Sequence, residues 1–445
     1  MTESRVRWSF AFAFSCFFCL CCYVSAQDTV QIRECIRALS DSSMHGRGYA
    51  YRGDSIAADY LRRQLRQLAV APFYFPDYYE RYSFPSYAME GKVEAVIDGR
   101  KLQGWIDYAL APFSRSAHGN FDILPVSPES LTDSAAFSSF CYRNEKKADN
   151  ALLYVDVSQC EDATVVRSVY AFCYALFRLS DRSRMPFQGI LLGVREMPVW
   201  SFSFPKQYYD YVLCYVCADI MTGNPRKMRL SYDNRWIPAY DTQNICAQIP
   251  GTQVPDSFVV IGAHYDHLGQ MGDEVLFPGC HDNASGVATL LDMAAAFKQK
   301  PLRYTVLLTL FSGEEAGLFG SSRFIQDSLL DFSRIALMLN LDLLCGGDEG
   351  ITMENVYEPE TARFFKTLDS LNRQSSLLKK VNPRKNAPNS DHYPFSRKGV
   401  PAVFVYTHGG KTGTCHQPDD TSENASLSAC PGIVRLLSET LRILY

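Results

Sequence analysis

At 445 residues the chain is long for one small domain and can bury a large core. Hydrophobic residues make up 47% and charged residues 21%, which excludes wholesale disorder. Lys and Arg number 44 against 48 Asp and Glu, a net charge of −4, so no basic excess exists to attract phosphate and nucleic acid is not expected as a partner. Six of the eight histidines lie from His264 onward, which points the chemistry to the C-terminal part.

The chain opens with Arg5 and Arg7, an apolar run from Trp8 to Val24, and then Val24-Ser25-Ala26. A positive start, an apolar middle and a small-x-small end describe a secretory signal peptide. The run is short for a membrane span. The expectation is export to the periplasm or beyond, with a mature chain starting at Gln27 and no stable membrane span after cleavage. Four of the 15 cysteines lie inside that segment; the 11 others are an odd number, so at least one thiol stays free or pairs between chains. Cys214 and Cys217 form the one C-x-x-C of the mature chain, and their apolar flanks read as a buried strand rather than a metal site.

Residues 27–72 read as two helices, the second over Ser55–Leu68 behind Gly53-Asp54, with His45-Gly46-Arg47-Gly48 as a turn between them. Residues 73–235 change character. Pro72, Pro76 and Pro85 break the pattern, Tyr and Phe are frequent, and short apolar runs such as Asn150–Val157 and Gly189–Val194 alternate with at least one helix, Ala163–Leu179. This stretch is expected to be a separate β-rich module.

From 236 to 445, strands and helices alternate. Strands are expected at Ser257–Ala263, Tyr304–Phe311, Ile335–Leu343 and Pro401–Tyr406, and helices at Ser285–Lys298, Gly317–Asp327, Thr361–Gln374 and Ser428–Leu444. Such a pattern implies an α/β fold, a mostly parallel mixed sheet flanked by helices on both faces, with the β-rich module inserted. Sites in these sheets lie at the carboxyl ends of the strands.

Each strand end carries a ligand-type residue. His264-Tyr265-Asp266-His267 follows the first strand, and His281-Asp282-Asn283-Ala284-Ser285-Gly286 opens the first long helix. Glu314-Glu315 follows the second strand, Asp342 ends the third, and His416 lies past the fourth. Imidazole and carboxylate together suit zinc. Two histidines and three carboxylates are too many for one open tetrahedral ion, and suit two ions sharing a carboxylate. Asp282 is the natural bridge, central in chain order and just before a helix N-terminus. Of the neighbours Glu314 and Glu315, one can bind metal while the other serves as general base.

These motifs resemble the dizinc exopeptidase family of secreted bacterial aminopeptidases, relatives of glutamate carboxypeptidase and glutaminyl cyclase. The likeness covers roughly residues 30–72 and 236–445, and residues 73–235 resemble, more weakly, the protease-associated insert of some members. The resemblance implies two Zn²⁺ per chain. His264 and Asp342 complete one site, Glu315 and His416 the other, and Asp282 bridges. It implies Glu314 as the base, Asp266 as the residue that orients His264, and a cis peptide bond between Asp282 and Asn283. Ser390-Asp391-His392-Tyr393-Pro394-Phe395 matches a family segment near the substrate cleft. Where some members carry a Tyr as oxyanion donor this chain has Ala387, and His392 is the expected substitute. His267 and His281 are expected beside the ligands or in solvent, and His45 and His408 outside the site. Asn283-Ala-Ser and Asn424-Ala-Ser read as chance matches to a glycosylation sequon.

The implied function is an exported zinc aminopeptidase acting on peptides. The alternatives are a one-zinc glutaminyl cyclase, a carboxypeptidase-type relative, and a receptor-like relative without metals. The intact ligand set speaks against the first and last of these.

Overall fold

The computed structural model describes residues 30–176, 185–202, 207–326, 330–409 and 415–445, so the expected signal peptide and its expected cleavage point lie outside the described residues. None of the described helices is long and apolar enough to cross a membrane.

Tyr304–Phe311 is an almost unbroken apolar run, and all but its first residue are buried. Such a strand needs cover on both faces, which a sheet interior supplies. It lies between Val254–His264, paired parallel from Phe258↔Thr305 to His264↔Phe311, and the antiparallel end of Lys227–Ile249. Val254–His264 pairs parallel on its other side with Ile335–Leu341, which in turn pairs parallel with Ala402–His408. Gly350–Glu354 is antiparallel to Ala402–His408 and gives the sheet its mixed character. The architecture is therefore the mixed α/β sandwich expected from the alternating pattern. On one face, residues 30–40 and the helices Gly53–Gln67, Ser285–Gln299, Pro359–Ser375 and Cys430–Leu444 share one core with the sheet. On the other, Phe324 and Phe395 stack at 5.7 Å from the short helices Phe319–Gln326 and His392–Arg397.

Two strands depart from the expected layout. Tyr79–Ile97 and Lys227–Ile249, 19 and 23 residues long, pair antiparallel along most of their length. At about 3.3 Å per residue each reaches roughly 60 Å or more, far enough to run from the C-terminal sheet into the inserted module. The 235/236 boundary drawn from sequence thus falls inside a strand. Among the described residues, one fifteen-stranded sheet continues through both parts.

The inserted module is also less purely β than its composition suggested. Ala117–Pro125, Ala151–Asp156, Gly189–Val194 and Val212–Cys217 lie side by side and parallel. Pro128–Thr132, Ser134–Arg143 and Ala163–Leu176 provide helical segments between them. The physical reason is burial on both faces: Gly189–Val194 is buried at every position, which requires helical cover. Cys214 sits buried within Val212–Cys217, in keeping with the strand reading, and all eleven described cysteines are free thiols.

The module is fastened to the C-terminal unit by aromatic contacts. Trp200 stacks on Phe277 at 4.6 Å and donates its indole N–H to the Leu110 carbonyl at 2.7 Å. Trp105 donates its indole N–H to Gln417 Oε1 at 2.9 Å, one residue from His416.

Asp54, in the first turn of Gly53–Gln67, pins that helix to the long strand by accepting the hydroxyls of Tyr240 and Thr242. Burial raises its pKa from the usual 3.8 to about 6, the two hydroxyls offsetting part of the rise. The folded state holds this proton more tightly than the unfolded chain. The contribution is therefore complete below about pH 4 and is lost as pH rises through about 6, on the order of 3 kcal/mol. Asp54→Asn is expected to remove this downward slope, read as the difference in unfolding free energy between variant and wild type across that window. An unchanged slope contradicts the assignment.

Candidate metal centre

The three parallel strands Val254–His264, Tyr304–Phe311 and Ile335–Leu341 end side by side. His264 is the last residue of the first, Glu314 and Glu315 follow the second within four residues, and Asp342 follows the third at once. His416 arrives from the loop beyond Ala402–His408. All five ligand-type residues foreseen from the sequence meet here.

Asp282 stands at the middle. Its Oδ1 lies 3.2 Å from His264 Nε2, and its Oδ2 lies 3.1 Å from His416 Nε2. His264 Nε2 is also 3.3 Å from Asp342 Oδ1, and His416 Nε2 is 3.1 Å from Glu315 Oε2. Each oxygen of one carboxylate therefore faces a different histidine–carboxylate set. Donor atoms bound to one tetrahedral zinc at about 2.0–2.1 Å sit roughly 3.3 Å apart, and these spacings match. The donor chemistry, imidazole with carboxylate, also fits zinc.

Electrostatics point the same way. Asp266, Asp282, Glu315 and Asp342 are all buried. Burial disfavours the charged imidazoles of His264 and His416, but the carboxylates around them outweigh it and hold both pKa values well above the usual 6.5. Burial likewise opposes ionisation of Asp282 and Glu315. Hydrogen bonds from the two histidines hold Asp282 well below the carboxylate range, and His416 above all brings Glu315 down to about 2. The cluster is a buried excess of negative charge, and such groups need cations beside them.

The Asp282 loop is held from three sides. Arg47 is fully buried and donates to the carbonyls of Leu39, Tyr265, Pro278, Gly279 and Asp282 at 2.7–3.1 Å. Asp420 accepts the main-chain N–H groups of His281 and Asp282 at 2.8 and 3.1 Å. Asn283 Nδ2 donates to the Leu341 carbonyl, and Ser285 Oγ accepts the Leu344 N–H, so the loop interlocks with the segment carrying Asp342. Gly279, at φ +63°, has no room for a side chain: a Cβ would lie 2.3 Å from the Asp282 carbonyl and 2.5 Å from the Arg47 guanidinium. The Asp282–Asn283 peptide bond is cis. Asn283 is buried, in keeping with its sequon being a chance match.

Asp266 accepts the Tyr49 hydroxyl at 2.7 Å and the N–H groups of Glu314 and Glu315 at 3.3 Å each. It thereby fixes the Glu–Glu segment. It also faces His264, whose Nδ1 lies 3.7 Å from the Asp266 carboxylate and 3.2 Å from the Asp266 main-chain carbonyl. The Glu314 carboxylate is half-buried and makes no hydrogen bond among the described residues. Burial pushes its pKa well above the usual 4.5, and Glu315, Asp391 and Asp342 add to the rise while His264 offsets part of it.

His392 is not brought to the cluster. Its Nε2 pairs with Asn386 Oδ1 at 3.0 Å and its ring lies over Phe404 at 5.4 Å, while burial lowers its pKa to about 4. The first turn of His392–Arg397 tucks the ring inward, so the oxyanion role expected of it has no support in the geometry. Its neighbour Ser390 does reach the site, donating to Asp342 Oδ2 at 2.7 Å. His281 is buried, and its Nδ1 accepts the Cys345 N–H at 3.3 Å. His45 pairs with Gln270, and His408 with Thr352, both away from the cluster. Arg47, Tyr49 and Asp420 are supporting residues that received no role in the site from sequence reasoning, whereas Ser390 belongs to the segment expected near the cleft.

Arg47→Met keeps bulk but leaves five buried carbonyls without their donor. At about 1–3 kcal/mol for a buried unpaired group, a loss of at least about 3 kcal/mol in a denaturant titration is expected, together with a lower zinc content after dialysis. Wild-type values for both contradict the clamp.

Residues 244–441 match Peptidase family M28. A probable leucine aminopeptidase of Arthroderma otae is 31% identical over 236 residues, 49% of this chain and 63% of the relative. A probable zinc metalloprotease of Pyrenophora tritici-repentis is 33% identical over 128 residues, 27% of this chain and 28% of the relative. The chain thus spans a little under two thirds of the leucine aminopeptidase relative and a smaller part of the metalloprotease. Among solved structures, a zinc aminopeptidase from Bacillus subtilis superposes with a TM-score of 0.68 at 15% identity, over 93% of this chain and 94% of its own. A peptidase M28 precursor from Shewanella amazonensis gives 0.68 at 15%, over 95% and 96%. At these identities the likeness is one of fold, and it extends through the inserted module. The family likeness thus rests on residues 244–441, the part of the chain that carries His264, Asp282, Glu315, Asp342 and His416.

Proposed function

We propose that this chain is an exported aminopeptidase that holds two zinc ions and removes N-terminal residues from peptides. The observation that carries the reading is the split of Asp282, one oxygen toward His264 and Asp342, the other toward His416 and Glu315. Peptide hydrolysis as the reaction class is supported by the family, and aminopeptidase action by the printed descriptions of the relatives. Export is supported by the signal-like segment Arg5–Ala26.

His264, Asp282 and Asp342 would hold one zinc, and Asp282, Glu315 and His416 the other. Zinc, when bound, supplies Lewis-acid polarisation of the scissile carbonyl and makes water more acidic near neutral pH. Glu314 moves the protons. Its carboxylate is felt electrostatically by His264, Glu315 and Asp342 and has a raised proton affinity. It can take a proton from water and return it to the departing amine, both at the same carboxylate. Asp266 keeps Glu314 in place through its main-chain N–H, and Tyr49 holds Asp266 from behind.

Glu314→Gln keeps shape and hydrogen bonding but cannot accept the proton. Two zincs per chain are expected to remain by elemental analysis, while hydrolysis of aminoacyl-anilides falls by about 10²–10⁴-fold. Glu315→Gln is expected to loosen one zinc as well as slow turnover. Loss of zinc in the first variant and retention in the second would reverse the two roles, and an unchanged rate in both removes the mechanism.

Asp282→Ala is expected to strip most of both zincs, because the shared carboxylate serves each set. His416→Ala is expected to cost mainly one. Full retention of two zincs without Asp282 contradicts the shared carboxylate.

A further inference from the structure

The bond between Trp105 and Gln417 joins the inserted module to the chain one residue past His416. It is prepared on both sides. On the module side, the Glu274 carboxylate accepts the Gly104 main-chain N–H at 3.1 Å and the Tyr108 hydroxyl at 2.7 Å, gripping the turn around Trp105. The Trp105 main-chain N–H donates to the Tyr108 carbonyl at 2.7 Å, and the indole meets Phe277 edge to face at 4.9 Å. Gly104 allows this close approach, since a Cβ there would lie 2.9 Å from the Val275 side chain. The ring is thus held in place apart from its bond to Gln417.

On the other side, Gln417 opens a turn that Asp420 closes, the Asp420 N–H donating to the Gln417 carbonyl at 3.2 Å. The Asp420 carboxylate in turn accepts the N–H groups of His281 and Asp282. One glutamine therefore adjoins His416 in the chain and shares a turn with the residue that fixes the Asp282 backbone. Trp105 at φ +64° and His416 at φ +60° both take left-handed backbone conformations, which are uncommon away from glycine. Such conformations persist where the surroundings over-determine them.

We propose that Trp105 is a positioning residue for the metal centre: by holding Gln417 it fixes His416 and the Asp420 turn, and so tightens the zinc held by Asp282, Glu315 and His416. This inference rests on the two-zinc reading above. Fastening the module to the C-terminal unit requires only the apolar half of the contact. Trp200 serves that purpose alone, since it stacks on the same Phe277 but directs its indole N–H to Leu110 within the module. Trp105 instead directs its N–H to the loop that carries His416.

The test reads zinc retention against a chelator in the zinc-loaded full chain. Trp105→Phe keeps a ring against Phe277 and loses the N–H, whereas Gln417→Met keeps the side-chain length and loses the acceptor. Each is expected to weaken retention of one of the two zincs by about tenfold, the low end for an outer partner of a metal site. The two changes together are expected to weaken it about as much as either alone, because they remove the same bond. Gln417→Glu keeps an acceptor and is expected to stay within about threefold of wild type. Trp200→Phe is expected to lower the thermal unfolding midpoint and leave zinc retention unchanged. Wild-type retention in Trp105→Phe, losses that multiply in the double variant, a Gln417→Glu variant as weak as Gln417→Met, or an equal loss in Trp200→Phe overturns the inference and leaves the two-zinc reading in place. A wild type that holds fewer than two zincs overturns the two-zinc reading. The inference is then decided on the zinc that is bound, by whether the double variant still loses no more than the single ones.

Discussion

The structure is organised around one carboxylate that must face two directions. Asp282 presents Oδ1 to His264 and Oδ2 to His416, so both of its oxygens are committed. A carboxylate in this position is costly to bury, and Glu315 and Asp342 are buried beside the same two histidines. The fold meets the cost with two devices. Histidines, and the cations they imply, supply positive charge at the oxygens. A buried arginine and the Asp420 carboxylate fix the backbone, so that the side chain has a single place to go. Arg47 is an unusual clamp because none of its five bonds goes to a carboxylate. Its charge stays available to the field of the site, where Asp282 and Asp420 partly offset the burial that lowers its pKa.

The remaining geometry follows from the sheet. Parallel strands deliver their carboxyl ends to one rim, where His264 ends one strand, Asp342 and Glu315 follow two others, and loops bring in Asp282 and His416. The helix Ser285–Gln299 starts beside that rim, and its first turn is stitched to Leu341 and Leu344 by Asn283 and Ser285. The inserted module is coupled to the same rim through the two long strands and through Trp105, which holds Gln417 next to His416. The module therefore has a physical route to the position of one ligand.

Much of this was legible in local sequence. Tyr304–Phe311 and Gly189–Val194 are continuous apolar runs whose bounds match the structure, because burial on both faces leaves no other pattern. Of the candidate ligands, His264, Glu315 and Asp342 were legible because each sits within a few residues of a strand end, and Asp282 because it stands just before a helix. Partners distant in sequence were not. Arg47 lies in a short Gly-rich turn and takes most of its meaning from carbonyls more than two hundred residues away. Asp420 looks like one of two solvated acids until the chain folds back on His281. The long strand Lys227–Ile249 was missed for a different reason. Pro238 interrupts it, and a proline normally argues against a strand. Here Pro238 lies opposite Pro85, where the pairing register shifts, and the sheet tolerates both. His392 shows the reverse case, since a histidine inside a site motif invites a chemical role that its packing against Phe404 and its bond to Asn386 do not support.

The most direct test of the shared carboxylate is a crystal of the zinc-loaded mature chain, measured with anomalous scattering on both sides of the zinc absorption edge. The account predicts two zinc peaks, one beside Asp282 Oδ1 with His264 and Asp342, the other beside Asp282 Oδ2 with Glu315 and His416. A single peak, or two peaks that do not both contact Asp282, contradicts it.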